Sequence, residues 1–103
     1  MDKKTITDLT QFKKRVSKNY PIDKLILFGS QASGKAGPNS DIDLLIVSPK
    51  FKNLDFLERG VKMYSYWNLK KPVDFLCYSP TEFVKLSKRM TLVSEAVKEG
   101  IEI

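Results

Sequence analysis

Residues 25–47 read LILFGSQASGKAGPNSDIDLLIV, and this stretch decides the fold of the chain. An apolar run ends in Gly29-Ser30, ten residues rich in Gly, Ser, Pro and Asn follow, and Asp41-Ile42-Asp43 opens a second apolar run. Because successive residues of a strand point to opposite faces, we expect Asp41 and Asp43 on one face, about 6.5 Å apart along the strand. Aspartate is also common in turns, but Asp43 lies inside the apolar run, where an unpaired carboxylate is costly. The pair is therefore a candidate metal site.

A third carboxylate, Asp74, lies in the strand-like run at residues 72–77, PVDFLC. If this strand lies beside the second apolar run, three aspartates converge on one face of the sheet. Mg²⁺ binds carboxylate and phosphate oxygens, and three carboxylates suit a two-metal site for phosphoryl displacement, with the ions about 3.5–4 Å apart. The chain has no histidine and a single cysteine, Cys77, so a zinc site is disfavoured.

Gly29 and Ser30 lie where the first strand should turn into a short helix. Backbone N–H groups at a helix start, together with the Ser30 hydroxyl, would bind phosphate. The missing side chain of Gly29 would let a ligand approach the backbone closely.

The run at residues 29–36, GSQASGKA, also nearly matches a P-loop, which binds phosphates and places a Ser or Thr hydroxyl on Mg²⁺. Ala36 has no hydroxyl, and Gly37-Pro38 would break the helix that a P-loop must open. The P-loop interpretation is therefore disfavoured.

The complete pattern resembles a known family. Gly-Ser, ten residues, Asp-x-Asp and a third Asp in a later strand are similar to the signature of the polymerase-beta-like nucleotidyltransferases. The short length and residues 74–83, DFLCYSPTEF, resemble the minimal nucleotidyltransferases, small proteins often encoded beside a HEPN-domain partner in toxin–antitoxin pairs. The resemblance covers nearly the whole chain and implies an α/β (α+β) nucleotidyltransferase fold with a mixed three-stranded sheet.

The resemblance also implies a role for each site residue. Gly29 and Ser30 would hold the triphosphate, and Asp41 and Asp43 would ligate two Mg²⁺ ions. Asp74 would complete the shell of the nearer ion and help to accept a proton from the attacking hydroxyl.

The chain departs from this family pattern directly after Gly-Ser. Many relatives carry basic residues there, whereas this chain has Gln31, Ala32 and Ser33. Lys35 is the candidate substitute for the missing phosphate contact.

The composition indicates one domain, residues 1–103, without room for a separate acceptor-binding domain. The net charge of +6 suggests an acidic or phosphate-bearing ligand, but the favoured explanation is that lysines are spread over helix surfaces for solubility. The N-terminus, Met1-Asp2-Lys3-Lys4, is charged, and no apolar run reaches the length of a signal core or membrane span. We therefore expect a soluble cytoplasmic protein.

Hydrophobic spacing and turn residues predict three strands and four to five helices. Ser79, Pro80 and Glu82 have capping-box spacing with proline at the first helical position, and Gly100 should end the last helix. The predicted elements are a helix at 7–19, a strand at 24–28, a short helix at 30–36, a turn at 37–40, a strand at 41–47, a helix at 53–68, a strand at 73–78, a helix from 80 and a helix at 92–99.

Two apolar surfaces are left open by this pattern. Leu45 and Val47 share a face with the aspartates, and the pattern predicts too few helices to cover both faces, so a partner protein or a second copy of the chain is expected there. The helix at 53–68 carries two apolar stripes. The preferred interpretation packs both stripes inward, and the alternative leaves the aromatic stripe for a partner. The stripes are Leu54, Leu57, Val61 and Tyr64, and Phe56, Met63 and Trp67.

Three functions follow from these observations. The resemblance implies a Mg²⁺-dependent enzyme that moves AMP from ATP onto a hydroxyl, such as a tyrosine of a HEPN ribonuclease toxin, and so acts as an antitoxin. The alternative is an antitoxin that neutralises a HEPN partner by binding, without catalysis. A basic nucleic-acid-binding domain is disfavoured because no surface motif combines aromatic and basic residues.

Overall fold

The computed structural model describes residues 3–35, 37 and 40–103. It confirms the α/β class, with five α-helices and a mixed sheet. The elements are α1 (Lys3–Ser17), β1 (Lys24–Phe28), α2 (Ser30–Ser33), β2 (Ile42–Val47), a 3-10 turn (Pro49–Asn53), α3 (Phe56–Tyr64), β3 (Val73–Tyr78), α4 (Pro80–Ser87), α5 (Leu92–Glu99) and β4 (Ile101–Glu102). No helix in these described ranges is both long and apolar enough to cross a membrane.

The sheet has four strands in the order β3-β2-β1-β4, so the prediction of three strands was wrong. β2 runs parallel to β3, and β1 is antiparallel to both β2 and β4. The additional strand is the pair Ile101–Glu102, which aligns with Leu27 and Ile26. Two residues are too few to show the alternation that identifies a strand in a sequence, and their conformation follows from the free edge of β1.

One face of the sheet is covered by α1 and by the segment around α3. Leu9, Phe12 and Val16 recur at helical spacing and are completely buried against this face. The Phe12 ring lies edge-on to Trp67 at 5.3 Å and stacks on Phe75 at 5.8 Å, between ring centroids. Burying each such large side chain contributes about 1.5–3 kcal/mol to folding, so this face forms the larger core.

The opposite face is covered by α4 and α5 of the same chain. Leu45 and Val47 are buried there, together with Phe83, Val93 and Ala96. The expectation that a partner or a second copy covers these residues was wrong. The two C-terminal helices fold back over the sheet, and their short apolar stripes supply the cover.

α3 is shorter than predicted, and its outer face is apolar. Asp55 accepts a hydrogen bond from the Glu58 N–H at 2.9 Å and starts the helix at Phe56. Met63 is buried, whereas Leu57, Val61 and Tyr64 are 79%, 64% and 52% exposed. The preferred interpretation, with both stripes packed inward, was therefore wrong, and most of the aliphatic stripe faces outward.

The predicted start of α4 and end of α5 are confirmed, but the reason for glycine at residue 100 differs from the predicted one. Ser79 and Glu82 form the predicted capping box, with Pro80 at the first helical position. Gly100 follows α5 in an extended conformation, with φ −77° and ψ 168°. A side chain at Gly100 would overlap the Ala96 carbonyl and the Ile26 side chain, so close packing on β1 requires glycine there.

The loop between α2 and β2 is described in part. α2 ends at Ser33, before Gly34 in the left-handed region with φ +78°. The Gly37 N–H donates to Ser40 Oγ at 2.9 Å, which fits the predicted turn at 37–40. The predicted contributions of Ala36, Pro38 and Asn39, and the N-terminal Met1-Asp2, lie outside the described residues.

A buried arginine joins α3, β3 and α4. Arg59 is 5% exposed and donates to the Leu54 carbonyl at 3.0 Å, to the Cys77 carbonyl at 3.1 Å and to Glu82 Oε1 at 2.7 Å. Glu82 also accepts from the Ser79 N–H in the capping box. The Arg59 hydrogen bond is the main cause that holds the pKa of Glu82 below its ordinary value. The cation is therefore paired and fully hydrogen-bonded.

We expect Arg59→Ala to lower the free energy of unfolding by about 3 kcal/mol, because it leaves the carbonyls of Leu54 and Cys77 without this donor and removes the ion pair with Glu82. Urea denaturation measures the change. The matched control is Arg89→Ala at an exposed position, which should stay within about 0.5 kcal/mol of the parent. Equal effects of the two substitutions would contradict a stabilising role for the Arg59 network.

Candidate active site

The sheet places two of the three aspartates side by side. β2 and β3 are parallel neighbours, and their register pairs Asp43 with Asp74. Asp43 is also opposite Phe28, the last residue of β1, so Gly29 follows at the same level of the sheet. The predicted adjacency of the second and third apolar strands is confirmed. The two carboxylates lie on the face covered by α4 and α5.

Asp41 immediately precedes β2, and its side chain and that of Asp74 are exposed, whereas Asp43 is partly buried. Among the described residues, no three acidic, cysteine or histidine side chains are gathered closely enough to hold a metal ion as they stand. Carboxylates repel one another when no cation lies between them, which opposes closer approach. The strands thus bring the aspartates to one end of the sheet, but the side chains of the described residues do not form a complete set of metal ligands.

Burial is the main cause that raises the pKa of Asp43, and the charges of Asp74 and Asp41 raise it further. Ionised Asp43 is therefore disfavoured by the fold in the absence of a cation. The donors at this sheet end are carboxylate oxygens, which are the ligands that Mg²⁺ prefers. A divalent cation would offset both the burial and the repulsion, so the residues present fit such an ion.

Gly29 holds the backbone against the Asp43 carboxylate. Its φ of +73° and ψ of −154° fall in a region that is essentially restricted to glycine. A Cβ at this position would overlap Asp43 Oδ2. Gly29 therefore satisfies two constraints, one on its own backbone and one on the position of the neighbouring carboxylate.

A cleft of about 450 Å³ adjoins this glycine. One side consists of residues from the β1–β2 region, including Gly29, Ser33, Lys35 and Asp43. α5 forms the other side with Leu92, Glu95, Ala96 and Glu99. The structure thus brings together three predicted site residues, Gly29, Lys35 and Asp43, whereas Ser30, Asp41 and Asp74 lie outside the lining of this cleft.

α2 is a single turn that begins at Ser30. The Gly29 carbonyl accepts from the N–H groups of Ala32 and Ser33, both at 3.1 Å. The N–H groups at the start of a helix have no acceptor within the helix. Ser30 is therefore positioned beside the cleft, with its backbone N–H free of intrahelical bonds.

A comparison with protein families identifies this arrangement. A model described as the nucleotidyltransferase domain matches residues 9–100, from α1 to the end of α5. The chain belongs to the nucleotidyltransferase family. The match includes Gly29-Ser30 and all three aspartates, and the protein is a nucleotidyltransferase.

Similar proteins agree with this assignment. A candidate protein adenylyltransferase of Methanocaldococcus jannaschii is 30% identical over 97 residues, which cover 92% of this chain and 94% of the relative. A candidate nucleotidyltransferase from Sulfolobus solfataricus has a crystal structure with a TM-score of 0.68 and 20% identity, over 96% of this chain and 78% of that one. A chain from a toxin–antitoxin structure with AMP-PNP has a TM-score of 0.59 and 23% identity, over 93% and 69%. The two structures share the fold of this nucleotidyltransferase.

Sequence reasoning missed two contributions to the site of this nucleotidyltransferase. Gln31 Nε2 donates to the Ser40 carbonyl at 3.1 Å and so ties α2 to the residue before Asp41. Gln31 had appeared only as a departure from the basic family pattern. Glu95 and Glu99, one turn apart on α5, line the cleft, but they have the spacing of ordinary surface charges and carry no sequence signal.

We expect Gly29→Ala to lower nucleotidyl transfer by about 10²-fold, because the new methyl group displaces the Asp43 carboxylate and a displacement of about 1 Å has effects of this size. Steady-state kinetics measure the loss. Gly34→Ala is the matched control, because Gly34 also has a positive φ but has open space around it. The displacement argument would be wrong if both variants lost activity equally.

Asp43→Asn should raise the melting temperature at pH 7 in EDTA. Because the pKa of Asp43 is raised in the fold, its stabilising contribution is present below the unfolded value, near pH 4, and is lost as the pH rises through the folded value. Asparagine removes the charge that is disfavoured at neutral pH. Thermal denaturation at pH 4 and pH 7 measures the difference between parent and variant. Asp23→Asn, just before β1 at the other end of the strand, is the control, and a lower melting temperature for Asp43→Asn at pH 7 would refute the expectation.

Proposed function

We propose that this nucleotidyltransferase moves AMP from ATP onto a hydroxyl of a partner protein and releases pyrophosphate. The observation that carries the proposal is the pairing of Asp43 with Asp74 across parallel strands, beside the cleft that contains Gly29 and Lys35. The Methanocaldococcus jannaschii relative, named as a candidate protein adenylyltransferase, supports transfer to a protein. The AMP-PNP in the structural neighbour supports an adenine nucleotide.

The three aspartates would hold two Mg²⁺ ions through their carboxylate oxygens. Bound Mg²⁺ supplies charge neutralisation at the phosphates and at the attacking oxygen. Asp43 has the least freedom of the three, because it is partly buried and lies against Gly29. Asp41 and Asp74 are exposed and can adjust their side chains around a ligand.

The triphosphate would lie on the β1 side of the aspartates. Gly29 leaves the backbone open there, Ser30 offers its N–H and hydroxyl, and the ammonium group of Lys35 supplies the positive charge that Gln31 and Ser33 lack. Leu92 and Ala96 form an apolar part of the same cleft on α5. The cleft therefore combines phosphate contacts on its β1 side with an apolar surface for the nucleoside on its α5 side.

Asp74 would receive the proton of the attacking hydroxyl. It lies on β3, the edge strand on the side away from β1, and is exposed. An in-line displacement requires the attacking and leaving oxygens to lie on opposite sides of the transferred phosphorus. With pyrophosphate leaving on the β1 side, the acceptor arrives on the β3 side, next to Asp74.

The acceptor would be a tyrosine of a HEPN-domain toxin, which the transfer inactivates. The toxin–antitoxin neighbour supports a toxin as the partner protein. Residues 1–103 would act as a single domain in the cytoplasm, where ATP and Mg²⁺ are available. A non-catalytic antitoxin is the second candidate, favoured by Gln31 and Ser33 in place of the basic residues of relatives.

We expect the double variant Asp41→Asn, Asp43→Asn to lose transfer by about 10³-fold or more, because it removes the charges that hold the metal ions. Transfer is followed on gels with ATP labelled at the α-phosphate, Mg²⁺ and a lysate of the source cells, which supplies the acceptor protein. EDTA should abolish the labelled band, and Asp23→Asn should retain it.

The same variant should still form the complex with the partner, since the two substitutions change few atoms at one sheet end. Growth rescue then separates the two candidate functions. Loss of rescue with an intact complex supports the enzyme. Full rescue by the double variant, with no labelled band for the parent protein, would replace the enzyme with the binding antitoxin.

A further inference from the structure

A second cavity lies between α1 and residues 68–71, the loop that leads into β3. Its volume is about 530 Å³, and we call it the basic groove. Among the described residues that line it, Arg15, Lys70 and Lys71 contribute cationic side chains that face one carboxylate, Asp8, and Lys4 lies at the same wall. Such a ratio of charges favours an anionic ligand.

The basic groove opens at the same sheet end as the aspartates. Ile42 lies between Asp41 and Asp43 and lines the groove. Its N–H donates to the Pro72 carbonyl at 2.9 Å, which joins the start of β2 to the end of the loop. Asp74 follows two residues after Pro72. The groove therefore lies at the same end of the sheet as Asp74, but on the face covered by α1, opposite the face that carries the aspartates and Lys35.

The walls of the groove are held in place without a ligand. Arg15 Nη2 donates to the Tyr66 carbonyl at 3.1 Å and to Asn68 Oδ1 at 2.9 Å. Trp67 Nε1 donates to the Lys71 carbonyl at 2.9 Å. In the described part of the chain, no carboxylate lies within ion-pairing distance of Arg15, Lys70 or Lys71. The loop is thus fixed while these charges stay available for a charged ligand.

We propose that the basic groove binds an acidic segment of the acceptor protein, adjacent in the acceptor to the hydroxyl that is modified. The inference rests on the proposed transfer to a protein, which brings the acceptor in on the β3 side. None of the described residues that line the groove is aromatic, so the groove lacks a surface on which bases would stack. The lack of such a surface favours an acidic peptide over a nucleic acid.

The test uses a random copolymer of glutamate and tyrosine as the probe, with a lysine–tyrosine copolymer as the cationic counterpart. Fluorescence anisotropy of labelled copolymer measures binding without requiring transfer. Lys70→Gln, Lys71→Gln should weaken binding of the glutamate–tyrosine copolymer about 10-fold, and the lysine–tyrosine copolymer should not bind. Lys85→Gln, Lys88→Gln on α4 removes the same charge from exposed positions elsewhere and should bind like the parent.

Where the copolymer also accepts labelled AMP, the Lys70, Lys71 variant should raise KM about 10-fold and leave kcat unchanged. Equal affinity of the variant and the parent, or no binding to the parent, would overturn the inference. Tighter binding of a single-stranded RNA that is lost in the same variant would overturn it in favour of nucleic acid. Failure of the proposed function would instead appear as loss of transfer to every acceptor, with charge-dependent binding of the copolymer retained.

Discussion

The pairing of β2 with β3 is the constraint on which the site depends. It sets Asp43 beside Asp74, and a slip of one residue would turn one of these carboxylates to the other face of the sheet. Such a slip is prevented because β2 is buried on both faces, by α1 and α3 on one side and by α4 and α5 on the other. The apolar residues that follow the aspartates therefore fix the position of the carboxylates as well as stabilising the core.

Two features at this end of the sheet are energetically unfavourable. Asp43 is partly buried among like charges, and Gly29 has a backbone conformation that other residues avoid. The Arg59 network lies at the opposite end of the parallel pair and contains no unpaired charge. The stabilising Arg59 network and the repelling aspartates thus lie at opposite ends of β2 and β3. Because of this separation, the repulsion between the aspartates does not disturb the contacts that stabilise the fold.

Sequence reasoning succeeded where the signal is local. The strands that carry Asp43 and Asp74 and the capping box at Ser79 depend on neighbouring residues and could be predicted. β4, the cover over Leu45 and the outward face of α3 depend on which elements meet in three dimensions, and the same patterns allow other arrangements. The contact of Gln31 with Ser40 belongs to this second group, because it depends on how a loop closes.

The two residues of β4 close a sheet edge that forms much earlier in the chain. Their partners, Ile26 and Leu27, belong to β1, while Ile101 and Glu102 emerge from the ribosome only after almost all of the other elements. During synthesis β1 therefore presents one row of unpaired N–H and C=O groups beside apolar side chains, a form of edge that other chains can pair with. Once Ile101 and Glu102 pair with β1, this row of groups is no longer available to other chains.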